Sequence, residues 1–301
     1  MKTRVGIVGF GNLGKAISEE IEKQNEFELV AIFSKRNVNG TVPFSEILNY
    51  KEKIDILFLC GGSQNELETQ AIFLAPHFNL VEAYDNHSRL FEYHKKLDET
   101  LCKSNKVAIS AVGWDPGLFS LVRGLCFLLD GGSTTFWGKG TSQGHTNAIK
   151  NIPGVTDAIQ LTVPVEEAVL CAKQGSPKEN PKDNHERHCF VVADKKDQTR
   201  IESEIVHMKD YFEGYKTTVN FVSQTELDKM KTFSHKGEVI SKNGEIDFAL
   251  NLKSNPNFTA RVMLAFSKAI PPLLLEQKKG VFSIFDIPLS LVLGMKAYEL
   301  I

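Results

Sequence analysis

The sequence has no excess of charge of either sign: 35 Lys and Arg face 37 Asp and Glu, for a formal net charge of −2. That balance excludes the basic footprint of a nucleic-acid binder. No block of like charge suggests a membrane-surface segment. Cysteine is scarce and unpatterned: Cys60, Cys102, Cys126, Cys171 and Cys189 include no CxxC pair. Neither a disulfide framework nor a zinc site is indicated. No spacing of His, Asp and Glu suggests a metal-binding helix, so no metal is expected. A reduced, cytoplasmic setting fits this cysteine usage. Long apolar runs are also missing; the longest, such as residues 287–295, fall far below the ~20 residues that span a bilayer. Residues 5–10 are too short for the apolar core of a signal peptide, and no targeting segment is expected. Ser63 and Ser142 lack the GxSxG context of a hydrolase nucleophile. There is no internal repeat and no low-complexity stretch.

What is present is an ordinary globular composition, 42% hydrophobic and 24% charged. A length of 301 residues suggests two domains and is ample for a large core. The first third alternates short, nearly unbroken apolar runs (5–10, 29–33, 54–60, 80–84, 107–112) with helix-like stretches (13–24, 64–73, 91–104). Unbroken runs read as strands buried on both faces, hence a parallel sheet with helices on either side. The expectation is an α/β, Rossmann-type doubly wound fold. After Trp114 the texture changes. Residues 134–137, 159–165, 189–193 and 217–222 read as strands with fewer helices between them. Asn243-Gly244 sits between two alternating runs, a hairpin signal. Residues 257–277 begin like a helix and meet Pro271-Pro272, which must break it. The expected division is a dinucleotide-binding domain over 1–115, completed by 259–301, and a mixed α+β domain over 116–258.

Gly9-Phe10-Gly11-Asn12-Leu13-Gly14 follows the first predicted strand and opens a helix. In that context GxGxxG is a dinucleotide signature. Gly9 makes the tight turn, Gly11 lets backbone approach a pyrophosphate, and Gly14 lets helix and strand pack closely. The helix N-terminus then offers N–H groups and positive dipole to phosphate. The second strand decides between cofactors. NAD binders place a carboxylate at its end for the ribose 2′-OH; this chain has Ser34-Lys35-Arg36. Arg36 can grip a 2′-phosphate in a fork and Lys35 can add a point charge, so NADP is expected. The competing reading is a solvated surface pair. Gly61, Gly62 and Ser63 end the next strand, where small residues suit close approach of a cofactor. Cys60 reads as a buried small hydrophobe.

Two polar clusters follow strand ends, Tyr84-Asp85-Asn86-His87 and Gly113-Trp114-Asp115-Pro116-Gly117. Ligands of open α/β sheets sit at the carboxyl ends of the strands, so Asp85 and Asp115 are expected to face the cofactor crevice. Either could instead be a helix cap or turn residue.

These motifs resemble the meso-diaminopimelate D-dehydrogenase family. The likeness runs through GFGNLG (9–14), IFSKR (32–36), FLCGGS (58–63), YDNH (84–87) and GWDPG (113–117). It continues through FWGKGTSQGH (136–145), IPGV (152–155), HCFVVAD (188–194), YFEGY (211–215) and SNPNFTA (254–260). The resemblance implies NADP-dependent oxidative deamination of the D-centre of meso-diaminopimelate, giving L-2-amino-6-oxopimelate and ammonia. It implies a cytoplasmic homodimer of lysine biosynthesis, whose second domain binds substrate and carries the dimer contact. Carried over to this sequence, the cofactor contacts fall on Phe10 through Leu13, on Ser34, Lys35 and Arg36, and on Gln64, Asn65, Glu66 and Leu67. They continue on Ala83, Tyr84 and Asp85, then on Val112, Gly113, Trp114, Asp115 and Pro116. The substrate contacts fall on Asp85, Asp115, Trp137, Gln143, Gly144, Thr162, Arg187, His235 and Asn255. Lys35 stands where related enzymes carry arginine.

Deamination needs a neutral amine, so some group must accept a proton; Asp85 and Asp115 are the candidates. Both could instead only hold the ammonium, with water taking the proton. Other residues have plainer readings too. Trp137 can be core, Arg187 a solvated cation after the charged 175–186 loop, and Thr162 a strand former. Two other functions are compatible with the front half: a related imine or dihydrodipicolinate-type reductase, and a non-catalytic NADP-binding sensor. The set Arg187, Thr162 and His235 favours a long substrate with two polar ends.

Overall fold

The apolar runs of the first third become strands whose side chains are buried on both faces. A computed structural model describes residues 2–62, 66–230 and 235–301. The chain forms two compact units, Met1–Leu121 with Pro256–Ile301, and Val122–Asn255. In chain order the first unit opens with β1 (Thr3–Val8), α1 (Asn12–Glu22), β2 (Phe27–Ser34), β3 (Val42–Pro43) and β4 (Ile56–Leu59). It continues with α2 (Leu67–Leu74), β5 (Asn79–Glu82), α3 (Leu90–Ser104), β6 (Val107–Ile109) and the start of α4 (Leu118–Asp130).

The second unit holds β7 (Ser133–Trp137), β8 (Gly140–Thr141), α5 (Gln143–Lys150), β9 (Val155–Pro164), α6 (Glu166–Lys173) and β10 (His185–Ala193). After these come α7 (Gln198–Val206), β11 (Lys216–Phe221), α8 (Gln224–Lys229), β12 (His235–Ser241) and β13 (Asp247–Leu252). The chain then adds α9 (Asn255–Ser267), α10 (Ile270–Leu275) and β14 (Gly280–Phe282) to the first unit.

The first unit is built on a seven-stranded sheet in the order β14-β6-β5-β4-β1-β2-β3. Every pairing in it is parallel. The order reverses beside β1, the switch point at which doubly wound sheets open a crevice. Alternation explains the unbroken apolar runs. On β1, Val5 and Ile7 join one core cluster while Val8 joins the other. On β4, Ile56 and Phe58 point one way and Leu57 and Leu59 the other. Both faces are thus covered, α1 and α9 contributing to one and α2 and α3 to the other. Buried Asn79 ties the sheet laterally, its side chain donating to Asp55 O at 2.9 Å and accepting from Val107 N at 3.1 Å. Asp98 of α3 captures the last strand by accepting from Val281 N at 2.8 Å.

The second unit has a four-stranded sheet, β11-β10-β9-β8, and a three-stranded sheet, β13-β12-β7. Only β10 and β11 pair in parallel; the other pairings are antiparallel. The Asn243-Gly244 turn joins β12 to β13, with Gly244 at φ +77°.

Several features differ from the sequence reading or refine it. The second unit carries more helix than its texture suggested, because α5 to α8 are each too short to show a long periodic pattern. Residues 42–50, read as neither strand nor helix, form β3 and a 3-10 turn over Phe44–Tyr50. Pro271 and Pro272 do break the long helix, and they also open α10, where an absent N–H costs nothing. Among the described residues, the stretch Asn255–Leu275 is long and apolar enough to cross a membrane by length and composition, with mean hydropathy 1.3. The sequence reading missed it because Lys268 and the prolines interrupt the run. Half of it is buried, and Ala260, Met263, Leu264 and Phe266 pack in the same cluster as Val5 and Ile7. The run at 287–295 splits: Ile287 is buried, whereas Leu289, Leu293 and Met295 are exposed.

A Cβ on Gly14 would overlap the carbonyl oxygen of Gly9. Gly14→Ala is therefore expected to force helix and strand apart at a cost of about 2 kcal/mol. Thermal unfolding followed by circular dichroism should show a clearly lowered midpoint, and an unchanged midpoint would contradict the close approach.

Candidate active site

The glycine turn and the ends of β2 and β4 enclose a cleft of about 190 Å³ in the first unit. Gly9 adopts φ +94°, a conformation that L side chains rarely take, and its N–H donates to Phe33 O at 2.8 Å. Gly11 caps α1, and among the described residues, its two chain neighbours aside, no atom lies within 4 Å of where its Cβ would stand. The turn therefore leaves open the space over an 11-residue helix whose first turn carries no acidic residue. That is the environment a pyrophosphate needs. Asn12, Leu13 and Gly14 form the first turn of α1, with Gly14 packed against the strand.

Ser34, Lys35 and Arg36 line the same cleft, together with Gly61, Gly62 and Glu66. The Ser34 hydroxyl accepts from Arg36 N at 3.1 Å and shapes the turn that presents the guanidinium. Lys35 Nζ lies 3.2 Å from Glu66 Oε1 and 5.7 Å from the centroid of the Phe44 ring. A carboxylate does stand in the cleft, then, but on residue 66 and engaged by Lys35. Gln70 also lines the cleft; it is buried, and its Oε1 has no partner among the described residues. Phe44 and Gln70 were not foreseen, because nothing in sequence ties them to the glycine turn. Cys60, read as buried, is half-buried at the cleft wall, and desolvation pushes its thiol far up, away from nucleophile chemistry.

Of the other expected cofactor residues, Ser63, Gln64 and Asn65 lie outside the described residues. Leu67 is buried in the core against Ala71 and Leu74. The Tyr84 ring is also buried, 4.4 Å from the Tyr93 ring, with its hydroxyl donating to Glu68 at 2.5 Å. Leu67 and Tyr84 therefore have main-chain atoms rather than side chains to offer a ligand.

Parallel pairing of β5 and β6 sends the loops carrying Asp85 and Asp115 off the same edge of the sheet. Ala83 and Asp85 follow β5, and Asp85 is exposed. Val112 and Gly113 are buried after β6, while Asp115 is half-buried. Gly113 N donates to Pro116 O at 2.9 Å and Leu118 N to Gly113 O at 3.0 Å, closing a tight loop. Trp114 packs edge-on to Phe119 at 5.3 Å. Glu82 sits beneath both loops, fully buried. Sequence reasoning missed it, although a carboxylate inside an otherwise apolar run is an available signal.

In the second unit, Arg187 and Thr162 face each other across β10 and β9. Arg187 Nη1 donates to Thr162 Oγ1 at 2.6 Å, and its guanidinium lies 4.3 Å from the Tyr215 ring centroid. Arg187 is only 7% exposed, so the solvated reading is overturned: the strand carries it inward. Burial lowers its pKa. Among the described residues its Nε has no partner, nor does Nε2 of buried Gln160, whose Oε1 accepts from Thr162 at 3.4 Å. Unpaired buried donors beside a cation suit a carboxylate. Trp137 ends β7 at 36% exposure, so it is no core residue. Its N–H donates to His185 Nε2 at 2.8 Å, and the two rings lie 5.3 Å apart. Gln143 and Gly144 open α5; Gln143 is exposed and donates to Asn147 at 2.9 Å. His235 begins β12, half-buried, with the Thr141 backbone bonded to its ring. Asn255 opens α9. Among the described residues, no group of three or more His, Cys, Asp and Glu could hold a metal ion.

The chain is 41% identical to the meso-diaminopimelate D-dehydrogenase of Acetivibrio thermocellus, over 99% of this chain and 96% of that protein. It belongs to the meso-diaminopimelate D-dehydrogenase family. A model for the diaminopimelic acid dehydrogenase C-terminal domain matches residues 113–254. Among solved structures of the family's kind, C. glutamicum DAP dehydrogenase in complex with DAP aligns with TM-score 0.93 and 35% identity, covering 99% of this chain and 98% of that one. An engineered D-amino acid dehydrogenase bound to NADP+ aligns with TM-score 0.89 and 34% identity, covering 100% and 98%. Family membership sets aside the reductase and sensor alternatives.

Burial pushes His185 down to about 4 and His145 down to about 3. An unfolded histidine titrates near 6.5, so between these values the unfolded chain binds protons that the folded chain refuses. The stability contributed by neutral His185 is present above about pH 6.5 and is lost as pH falls toward 4, about 2 kcal/mol of it by pH 5. Gln can still accept from Trp137 N. His185→Gln should therefore show a smaller drop in urea midpoint between pH 7 and pH 5 than the wild type, and an identical drop would show that His185 is not held neutral.

Proposed function

We propose that the chain catalyses the NADP-dependent oxidative deamination of meso-2,6-diaminopimelate at its D-centre, reversibly, to L-2-amino-6-oxopimelate and ammonia. The observation that carries this reading is a glycine turn sharing one cleft with Lys35 and Arg36, in a chain similar over its whole length to enzymes of that name. NADP, when bound, supplies the hydride acceptor at its nicotinamide, and that step is the cofactor's own chemistry. This chain's residues bind, orient and manage protons around it.

Arg36 grips the 2′-phosphate and Lys35 adds its charge, while the turn from Gly9 to Leu13 and the N-terminus of α1 hold the pyrophosphate. The main chain of the loops at 83–85 and 112–116 lies toward the nicotinamide end. Asp85 and Asp115 hold the D-centre ammonium by charge-assisted hydrogen bonds, and one of them takes its proton. The neutral amine then supports loss of hydride from its carbon. Water adds to the resulting imine and ammonia leaves.

The far end of the substrate has L configuration, with its own carboxylate and ammonium. Arg187 binds the far carboxylate, with Thr162 and His235 adding single hydrogen bonds. Asn255 accepts from the far ammonium. Trp137 gives the methylene chain a rigid wall, and Gln143 and Gly144 add further substrate contacts. A mismatched stereoisomer leaves such buried groups unpaired, which is the costly error that enforces selectivity. A cytoplasmic setting completes the reading, as does a homodimer, the latter supported by the apolar end of α4, where Phe127, Leu128 and Leu129 are each more than 60% exposed. No nucleic-acid or membrane partner is proposed.

Absorbance of reduced nicotinamide tests the activity. Turnover is expected with the meso isomer and NADP, with little from the LL isomer or with NAD. Absence of turnover with every isomer, despite NADP binding, would end this reading. Arg36→Ala should weaken 2′,5′-ADP binding by about tenfold, the loss of one charge-assisted contact. Glu66→Gln should strengthen it by releasing Lys35. Calorimetric titration reads both, and unchanged affinity in Arg36→Ala would remove the 2′-phosphate role.

A further inference from the structure

The least expected polar group in the first unit is Glu82, the last residue of β5, with no exposed surface. Its carboxylate is surrounded by donors from two loops and from α3. Oε2 accepts from Tyr84 N at 2.5 Å and from Ala111 N at 3.4 Å. Oε1 accepts from the Tyr93 hydroxyl at 3.1 Å and from the Ser110 hydroxyl. Its main-chain carbonyl accepts from Val112 N at 3.1 Å. One residue thus binds the first turn of the loop bearing Asp85 and the first turn of the loop bearing Asp115. Neither loop is regular structure at these points, and Ala111 sits at φ +56°, which alanine rarely adopts. Without an acceptor at this place, Tyr84 N and Ala111 N would be buried donors with nothing to bond.

We propose that Glu82 is a positioning residue that clamps the two strand-end loops together and so fixes Asp85 and Asp115 at the reacting centre. The proposal rests on the reading given under Proposed function. Glu82 has no exposed surface to offer a ligand and acts through the backbone of both loops. Its surroundings suit a neutral acid as well as an anion. Burial, opposed by the four hydrogen bonds, leaves its pKa pushed up to about 7. Ser110 Oγ lies 2.8 Å from His94 Nε2, and burial keeps His94 below its ordinary pKa. A protonated Glu82 can therefore donate to Ser110, which donates to His94, while its other oxygen still serves the two loop N–H groups. An amide can do the same: in Glu82→Gln the side-chain oxygen would turn to the N–H groups and the NH₂ to the hydroxyls. A thioether of similar volume cannot.

The test compares Glu82→Gln and Glu82→Met with the wild type by amide hydrogen exchange, by steady-state kinetics with meso-diaminopimelate and NADP, and by 2′,5′-ADP binding. In the wild type, the Tyr84 and Ala111 amides should exchange as slowly as those of β5 and β6. In Glu82→Met both amides should exchange at least about tenfold faster, because they lose the acceptor that holds them. Its kcat should fall by about tenfold or more through misplacement of the aspartates, and KM should change less. Glu82→Gln should keep slow exchange and most of kcat. Binding of 2′,5′-ADP, which reads the Ser34–Arg36 end, should hold in both variants.

Fast exchange of Tyr84 and Ala111 in the wild type would overturn the clamp even if Glu82→Met failed to fold. So would unchanged exchange in Glu82→Met. Loss of kcat in Glu82→Gln with exchange preserved would make Glu82 a proton carrier instead. Loss of 2′,5′-ADP binding in both variants would make it a general core residue. If the wild type itself turned over no diaminopimelate, the functional reading would fail, while the exchange result would still decide the clamp.

Discussion

Parallel pairing is the constraint on which the rest of the first unit depends. Seven strands running one way bring all their carboxyl ends to a single edge. The glycine turn after β1, the Ser34–Arg36 turn after β2, the small residues after β4 and the acidic loops after β5 and β6 all arise there. No one of these segments is near another in sequence. The same pairing demands helices on both faces, since each parallel strand buries side chains above and below. The glycines answer a secondary demand of this arrangement: α1 must start immediately where β1 stops, so Gly9 turns and Gly14 yields space.

The second unit solves a different problem on antiparallel strands. Arg187 on β10 and Thr162 on β9 meet because they are direct cross-strand partners. Gln160, two residues from Thr162 on the same strand, lies on the same face by the period of two. A cation, a hydroxyl and an amide are thereby buried together, against the ordinary rule that such groups stay wet. Tyr215 covers the guanidinium with its ring, which suits a planar, weakly hydrated cation better than it would an ammonium. His185 works at one remove from this set. By staying neutral it accepts from the Trp137 backbone, holding the ring at the end of β7.

Much of this was legible in the sequence where local rules suffice. The unbroken apolar runs gave away strands buried on both sides, Asn243-Gly244 the hairpin, and the glycine spacing the tight turn from β1 into α1. Ser34-Lys35-Arg36 signalled the cofactor by the absence of a carboxylate. What stayed hidden depends on distance along the chain. Glu66 meets Lys35 from 31 residues away, and Phe44 reaches the cleft from a 3-10 turn without strong periodicity. Arg187 looked solvated because it follows a charged loop; its burial comes from its register with β9. Glu82, Gln160 and His185 carry no motif at all, since a buried polar residue is identified by its partners, and partners are tertiary facts.

The return of the chain to its first unit has a consequence for the order of folding. Residues Val122–Asn255 are continuous, so this unit can complete its own contacts as soon as it has been synthesised. The first unit cannot. Its edge strand β14 and the α9 residues that cover Val5 and Ile7 emerge last. Until then β6 has an open edge, and the face that α9 shares with α1 is only partly covered. The first unit, begun first, is thus the unit finished last, and the stretch Pro256–Ile301 acts as its closing clasp.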